Sequence, residues 1–185
     1  MTHRWIVTAL GKDRPGIVAG VTKVLYQLGC NLEDSAMTRL EGEFAIMLIF
    51  SAPVRVSAER LQKAFASIER QLKLVIHLKA LSAQETRTTV QRAQSYLLSV
   101  YGADRPGIVY RVSEALAKAE INITNVETHR SRGSASRRSP SLYLMMIEVE
   151  VPRRIPAAWL EQQLRKLKRT LGVEISFSST ETDVL

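Results

Sequence analysis

The sequence Asp-Arg-Pro-Gly-Ile-Val occupies residues 13–18 and recurs unchanged at residues 104–109. The same shift of 91 residues relates Asn31 to Asn122. A repeat that spans most of a chain indicates one structural module present twice. The repeated residues favour turns and helix starts, and they do not form a nucleophilic or acid–base set. The sequence therefore predicts a duplicated, non-catalytic protein.

The second copy of the module is longer than the first. Pro53 and Pro152 are related by a shift of 99 residues, as are the apolar positions of the helix that follows each of them. Eight residues have therefore been gained between Asn125 and the strand that begins near Leu142. Residues 129–141 lie in that interval, are rich in Ser and Arg, and contain no acidic residue. This composition predicts an inserted basic loop.

The inserted loop accounts for only part of the net positive charge of the chain. The formal net charge is +8, and each half carries +4, with 12 basic against 8 acidic residues before residue 91 and 14 against 10 after it. A basic balance permits contact with an acidic protein or nucleic-acid surface. The predicted contacts are the loop arginines Arg130, Arg132, Arg137 and Arg138. A solvated loop without any partner is the alternative.

The composition places the chain among ordinary globular proteins. Apolar residues make up 45% of its 185 residues. The single cysteine, Cys30, excludes an internal disulfide framework and suits a reducing compartment. The longest apolar run, Phe44–Phe50, is far too short to span a membrane. We therefore expect a cytoplasmic protein with no membrane partner.

Hydrophobic periodicity predicts the order of elements in the first copy. Strand patterns alternate with two helical patterns, one that starts at Gly16 and ends at the helix-stopping Gly29, and one that starts at the capping residue Ser57. The predicted strands are Arg4–Leu10, Asn31–Leu40, Phe44–Phe50 and Val75–Ala80. The resulting βαββαβ order is that of a ferredoxin-like α+β fold, with an antiparallel sheet and both helices on one face.

The repeat and its composition define the expected domain organisation. We expect one module at residues 1–81, a polar linker at residues 82–92, and a second module at residues 93–185 that contains the basic loop. A module of about 80 residues buries a modest part of its surface, and its sheet has open edges. We therefore expect the two modules to pack against each other and the protein to self-associate as a homo-oligomer.

The repeated turn has a chemistry that suits an amino acid. Asp13 is predicted to accept a hydrogen bond from an early helix N–H, and Gly16 allows a close backbone approach. The free N–H groups and the dipole of the helix N-terminus suit a carboxylate. Asn31, placed beside this turn by its sequence position, offers a donor and an acceptor. The alternative is that the glycine and proline only make a tight turn.

On these residues, the turn and the βαββαβ order resemble the ACT domain, a small regulatory domain of amino-acid metabolism. The longer segments at residues 29–35, 37–40 and 42–44 resemble the glycine cleavage system transcriptional repressor family, whose members are tandem ACT proteins. The resemblance implies control of glycine cleavage genes through a transcriptional activator protein, with glycine as the first candidate ligand. It also implies that the ligand lies at an interface between modules.

Carried over residue by residue, the resemblance implies a ligand site in each copy. The implied ligand-binding residues are Asp13, Arg14, Gly16, Ile17 and Asn31, and their counterparts Asp104, Arg105, Gly107, Ile108 and Asn122. The second copy departs from the first at Asn125, which replaces Asp34, and in its inserted loop.

Three classes of function stay open at this point. The first is an amino-acid-responsive regulator that acts through a protein partner. The second is a direct nucleic-acid-binding regulator, which the absence of a recognition motif makes the weaker choice. The third is an enzyme fragment, because similar turns occur beside catalytic domains in formyltetrahydrofolate deformylase and uridylyltransferases. No P-loop or clustered histidines are present, so we expect no cofactor, no metal and no catalytic residues. A ligand-free protein–protein adaptor is a further alternative.

Overall fold

The computed structural model describes residues 2–82, 93–131 and 141–180. These residues form two compact units, one before and one after residues 83–92. The first unit contains β1 (Thr2–Lys12), α1 (Ile17–Gln27), β2 (Asn31–Leu40), β3 (Glu43–Pro53), α2 (Ala58–Leu72) and β4 (Val75–Leu81). The second contains β5 (Ala93–Ala103), α3 (Ile108–Lys118), β6 (Asn122–Ser131), β7 (Leu142–Pro152), α4 (Ala157–Leu171) and β8 (Val173–Ser179).

The predicted βαββαβ order is confirmed in both units. Each forms a four-stranded antiparallel sheet, with strand orders β2-β3-β1-β4 and β6-β7-β5-β8. Because the helices carry the chain from one end of the sheet to the other, the start of α1 and the β2–β3 turn lie at the same end. This topology is the ferredoxin-like arrangement expected from the sequence.

Local signals start and stop the helices where the sequence predicts. The hydroxyl of Ser57 accepts a hydrogen bond from the main-chain N–H of Arg60 at 3.2 Å, so Ser57 caps α2. Gly29 follows α1 with a φ of 68°, the left-handed conformation that often ends a helix. The alternation predicted for β3 also holds, since every second residue from Phe44 to Phe50 is buried.

Each unit has its own hydrophobic core between its sheet and its helices. In the first unit, Phe50 of β3 is fully buried and its ring lies 6.4 Å from that of Phe65 on α2. In the second unit, Leu98 of β5, Met145 of β7 and Leu160 of α4 occupy the same layer. Packing of this kind supplies most of the stability of short helices and strands.

The first three residues of the predicted inserted loop belong to a strand of the second unit. Residues 129–131 form the end of β6, because they pair with residues 142–144 of β7. The tight turn at residues 41–42 of the first unit therefore corresponds to residues 132–141 of the second, and the extra residues lie there. Residues 132–140 lie outside the described part of the chain, as do residues 83–92 of the predicted linker.

Candidate functional site

In each unit, the repeated turn leads into a helix whose N-terminus has no side-chain cap. Gly16 is the N-cap of α1 with φ 93°, and Gly107 is the N-cap of α3 with φ 92°. No side chain in the described residues accepts a capping hydrogen bond at either position. A Cβ atom placed on either glycine would meet no atom within 4 Å. The first-turn N–H groups therefore lack a side-chain acceptor among the described residues, and an anionic group is favoured at such a helix N-terminus.

Asp13 does not cap the helix, contrary to the sequence-based prediction. Its carboxylate instead pairs with the guanidinium of Arg39 on β2, at 3.2 Å. Asp104 makes the equivalent pair with Arg130 on β6, at 3.4 Å. The acceptor predicted for the helix N–H groups is therefore occupied by a cation from the edge strand β2 or β6, which the central strand β3 or β7 separates from the strand before the turn. That pairing leaves the N–H groups available.

Main-chain hydrogen bonds fix the position of each turn. The N–H of Asp13 donates to the carbonyl of Gly42 at 2.9 Å, and the N–H of Asp104 donates to the carbonyl of Ser141 at the same distance. Each turn is thereby tied to the connection between the second and third strands of its unit. This main-chain hydrogen bond and the aspartate–arginine ion pair together connect each turn to the tip of the β-hairpin.

Arg39 and Arg130 are functional-site candidates that sequence reasoning missed. Both stand 26 residues after their aspartate, and the shift of 91 that relates the two turns also relates the two arginines. That repeated spacing was the available signal. Arg130 had been predicted as a partner contact in the inserted loop, and the structure places it on β6 beside the turn instead. The remaining loop arginines, 132, 137 and 138, lie outside the described residues.

The other predicted turn residues divide into buried and exposed groups. The side chains of Ile17 and Ile108 are core residues, so only their main-chain N–H groups could reach a ligand. Arg14 and Arg105 are exposed. The guanidinium of Arg105 lies beside Gly172, which follows the last residue of α4. Its charge therefore lies near the negative end of that helix.

Asn31 does not lie beside the turn of its own unit, and the same correction applies to Asn122. Gly11, at the end of β1, is opposite Phe44 of β3, whereas Asn31 is opposite Ser51 of the same strand. Seven residues of extended strand separate Phe44 from Ser51, which is roughly 23 Å. The turn and the asparagine therefore occupy opposite ends of one sheet. No single module can bring them to one small ligand.

The two asparagines also differ in their surroundings. The Nδ2 of Asn122 donates to a carboxylate oxygen of Glu150 at 3.2 Å. The residue at the position of Glu150 in the first unit is Ser51, opposite Asn31. A donor of Asn122 is thus already used by an anion of its own unit. The two copies are not chemically equivalent at this position.

Glycines that precede each turn have a structural role. A Cβ on Gly11 would lie 2.8 Å from Leu74 Cδ2 and 3.1 Å from the carbonyl oxygen of Lys73. A Cβ on Gly102 would lie 2.8 Å from Cγ1 of Val173. The repeat keeps glycine at these positions because the chain that leads from the second helix into the last strand of each unit packs directly against them. They are not ligand-binding candidates.

Neither a reactive thiol nor a metal-binding cluster is found among the described residues. Partial burial raises the pKa of the Cys30 thiol, which disfavours the reactive thiolate at neutral pH. No group of three or more His, Cys, Asp or Glu side chains within the described ranges is arranged to hold a metal ion. None of the described helices is long and apolar enough to cross a membrane.

The left-handed conformation of Gly16 makes a specific prediction about stability. We expect Gly16→Val to destabilise the first unit by about 1–2 kcal/mol or more, because L residues, and β-branched ones most of all, disfavour positive φ. Gly16→Asn should cost less, since asparagine tolerates this region. Thermal denaturation of the three proteins checks the ranking. Equal stability of the valine and asparagine variants would contradict it.

Comparisons with known proteins agree with this architecture. A model of the ACT domain matches residues 3–79, and a second ACT-domain model matches residues 96–158. Together the two matches cover more than half of the chain. The chain belongs to the ACT-domain family. Both ACT matches include the repeated turn.

Several relatives match this chain across both of its modules. The chain is 27% identical over 176 residues to the glycine cleavage system transcriptional repressor of Escherichia coli, covering 95% of this chain and 90% of that protein. An unknown protein from Galdieria sulphuraria has a TM-score of 0.80 at 27% identity, over 97% of this chain and 99% of its own. A candidate glycine cleavage system transcriptional repressor has a TM-score of 0.72 at 22% identity, over 98% and 99% of the two chains. The last likeness concerns the fold alone.

Proposed function

We propose that this tandem ACT protein is a non-catalytic, amino-acid-responsive regulator that controls transcription of glycine cleavage genes through a protein partner. The observation that carries the proposal is the 27% identity to a glycine cleavage system transcriptional repressor over nearly the full length of both chains. A match of that extent includes both modules. Regulation is therefore assigned to the modules themselves.

The uncapped helix N-termini provide the binding chemistry for this role. The carboxylate of an amino acid would accept hydrogen bonds from first-turn N–H groups of α1 or α3, above Gly16 or Gly107. Arg14 and Arg105 are exposed beside the same turns and add positive charge. Glycine is the first candidate ligand because of the family relation. Its small size also matches a site built from main-chain groups.

The position of Asn31 indicates where the ammonium group would be held. Because Asn31 and the turn lie at opposite ends of one sheet, an amino acid that uses both must bind between two modules. We propose that the turn of one module and the asparagine of another form the site, with the second module supplied by the same chain or by a second copy. Such a site couples ligand binding to the arrangement of modules, which a regulatory ligand requires.

Calorimetric titration with a panel of amino acids tests the proposal. We expect glycine, or another small amino acid, to bind while amino acids with large side chains bind more weakly. A reporter gene under a glycine cleavage promoter should respond to the chain only when its partner activator is present. Direct binding of the purified chain to that promoter would favour the nucleic-acid alternative. Binding of no amino acid at millimolar concentration would favour a ligand-free adaptor.

A further inference from the structure

The outer surface of the second module contains a groove between its two helices. Two cavities, of about 320 Å³ and about 350 Å³, adjoin there and share Lys118, Ala119 and Trp159. One extends toward Ile155 at the start of α4, and the other extends along α4 toward Thr170. We name this surface the α3–α4 groove. It faces away from the sheet and is separate from the turns.

The floor of the groove is apolar and includes an exposed indole. Trp159, in the first turn of α4, keeps 43% of its surface exposed. Ala115 on α3, Ala119 just after that helix, and Leu167 on α4 are half-buried along the same groove. The small alanines leave the space that the cavities occupy. Tryptophan in an open apolar pocket is the residue type most often found at the energetic centre of protein interfaces.

The rim of the groove is positively charged. Lys118, Arg154 and Lys166 line the two cavities, and Glu120 is the one carboxylate among their lining residues, which gives a net charge of +2. Arg154 pairs with Glu120, and Lys118 pairs with Glu114 at 3.2 Å on the exposed surface. Lys166 makes no ion pair with any residue in the described part of the chain. The groove is therefore complementary to an acidic partner.

These features are not requirements of the fold, because the first module lacks them. The positions of Trp159, Lys118 and Lys166 are occupied there by Arg60, Gln27 and Ser67. The first module also brings its helices closer together, since a Cβ on Gly20 of α1 would lie 2.7 Å from Leu72 Cδ1 of α2.

An arginine in the second module replaces the glycine that permits this close approach. The residue at the position of Gly20 is Arg111, whose side chain is exposed. A long side chain at that point prevents the same approach of α4 to α3. The side chains that form the groove therefore differ from those at the same positions of the first module.

We propose that the α3–α4 groove binds an acidic segment of a partner protein, with a large apolar side chain of that segment inserted beside Trp159. The apolar floor fits the anchor, and the lysines on the rim fit flanking carboxylates. A nucleic acid fits less well, because a phosphate backbone needs a run of cations, and two of the three cations on the rim, Lys118 and Arg154, already pair with carboxylates. This proposal goes beyond the proposed function, since it holds whether or not an amino acid binds at the turns.

Fluorescence anisotropy with short labelled peptides tests the proposal on the full-length chain. The probes are peptides with a central Leu, Phe or Trp flanked by glutamates, the same peptides with lysines in place of the glutamates, and a single-stranded oligonucleotide. We expect at least one acidic peptide to bind at micromolar to low-millimolar concentration. Trp159→Ala and the double variant Lys118→Glu/Lys166→Glu should each weaken it by more than about tenfold.

Matched substitutions in the first module control for net charge. Lys23→Glu/Lys63→Glu changes the charge equally on the exposed helices of that module, and it should alter the affinity by less than about threefold. Equal losses in both double variants would show a general charge effect and overturn the proposal. Failure of every acidic peptide to bind would overturn it, as would preferential binding of the lysine peptides. Tighter, groove-dependent binding of the oligonucleotide would assign the groove to nucleic acid instead.

Discussion

A glutamate in the first turn of α1 and of α3 is expected to weaken amino-acid binding strongly while leaving the fold intact. Val18 and Val109 occupy the first turns of α1 and α3 and are 41% and 43% exposed. A glutamate there would direct its carboxylate at the same N–H groups that the ligand carboxylate needs. Two like charges about 4 Å apart at a protein surface repel by about 4 kcal/mol before screening. We expect the affinity to fall by more than about tenfold.

The same substitution should not harm stability. An acidic side chain in the first turn interacts favourably with the helix dipole, by about 0.3–1 kcal/mol. The double variant Val18→Glu/Val109→Glu is therefore expected to melt at or slightly above the temperature of the wild type. The glutamate variant therefore separates loss of binding from loss of fold. A substitution of Gly16 cannot do so, because the positive φ of this residue makes a side chain there destabilising.

The neutral variant Val18→Gln/Val109→Gln is the matched control, because it has nearly the same shape as the glutamate variant and no charge. Calorimetric titration of the three proteins with the amino acid that binds the wild type gives the comparison. We expect the glutamine variant to bind with an affinity closer to that of the wild type. Unchanged affinity in the glutamate variant would show that the carboxylate is held elsewhere.

Sequence patterns predict the elements of this protein because the signals for them are local. The period of buried residues in β3, the cap at Ser57 and the stop at Gly29 each depend on residues close in the chain. The exact repeat of residues 13–18 adds that both halves fold alike. The same reasoning misjudged the end of β6, since a strand can extend into a polar segment when its partner strand β7 provides hydrogen bonds.

The candidate site was harder to predict because its contacts are long-range. Asp13 has the residue type of a helix cap, but the nearby guanidinium of Arg39, 26 residues away, decides its role. The location of Asn31 depends on chain direction rather than on sequence separation. Because α1 carries the chain along the whole sheet before β2 begins, Asn31 starts at the end remote from Gly16. Only the three-dimensional topology shows that this candidate lies away from the turn of its own module.

These corrections change how the site can act as a regulator. Under the proposed function, hairpin movement and ligand binding at the turn would affect each other, because Arg39 and Arg130 join each turn to a β-hairpin. In the second unit that hairpin contains the inserted residues. A ligand at the turn of α3 would therefore act next to the segment that most distinguishes the two modules. The exposed ion pairs themselves contribute less than about 1 kcal/mol each, so they position groups more than they stabilise the fold.

Truncation of the central aromatic residue of the first unit is expected to have the largest effect on stability. Phe50 of β3 has no exposed surface and contacts the ring of Phe65 on α2. Phe50→Ala removes this contact and leaves a cavity, which costs about 3–5 kcal/mol in a protein core. A module of this size has a total stability of only about 4–12 kcal/mol. The variant therefore loses a large part of it.

Loss of Phe50 should also affect the repeated turn of its own unit. β3 pairs with both β1 and β2, and these strands carry the turn and Arg39. Urea denaturation followed by Trp5 fluorescence reports on this unit, since Trp5 packs against the same core. A Trp159→Phe background removes the signal of the second unit. Tyr26→Ala, at a residue 84% exposed, is the control and should change the free energy of unfolding by less than about 0.5 kcal/mol. A cost below about 1 kcal/mol for Phe50→Ala would mean that the core of β3 and α2 does not hold this unit together.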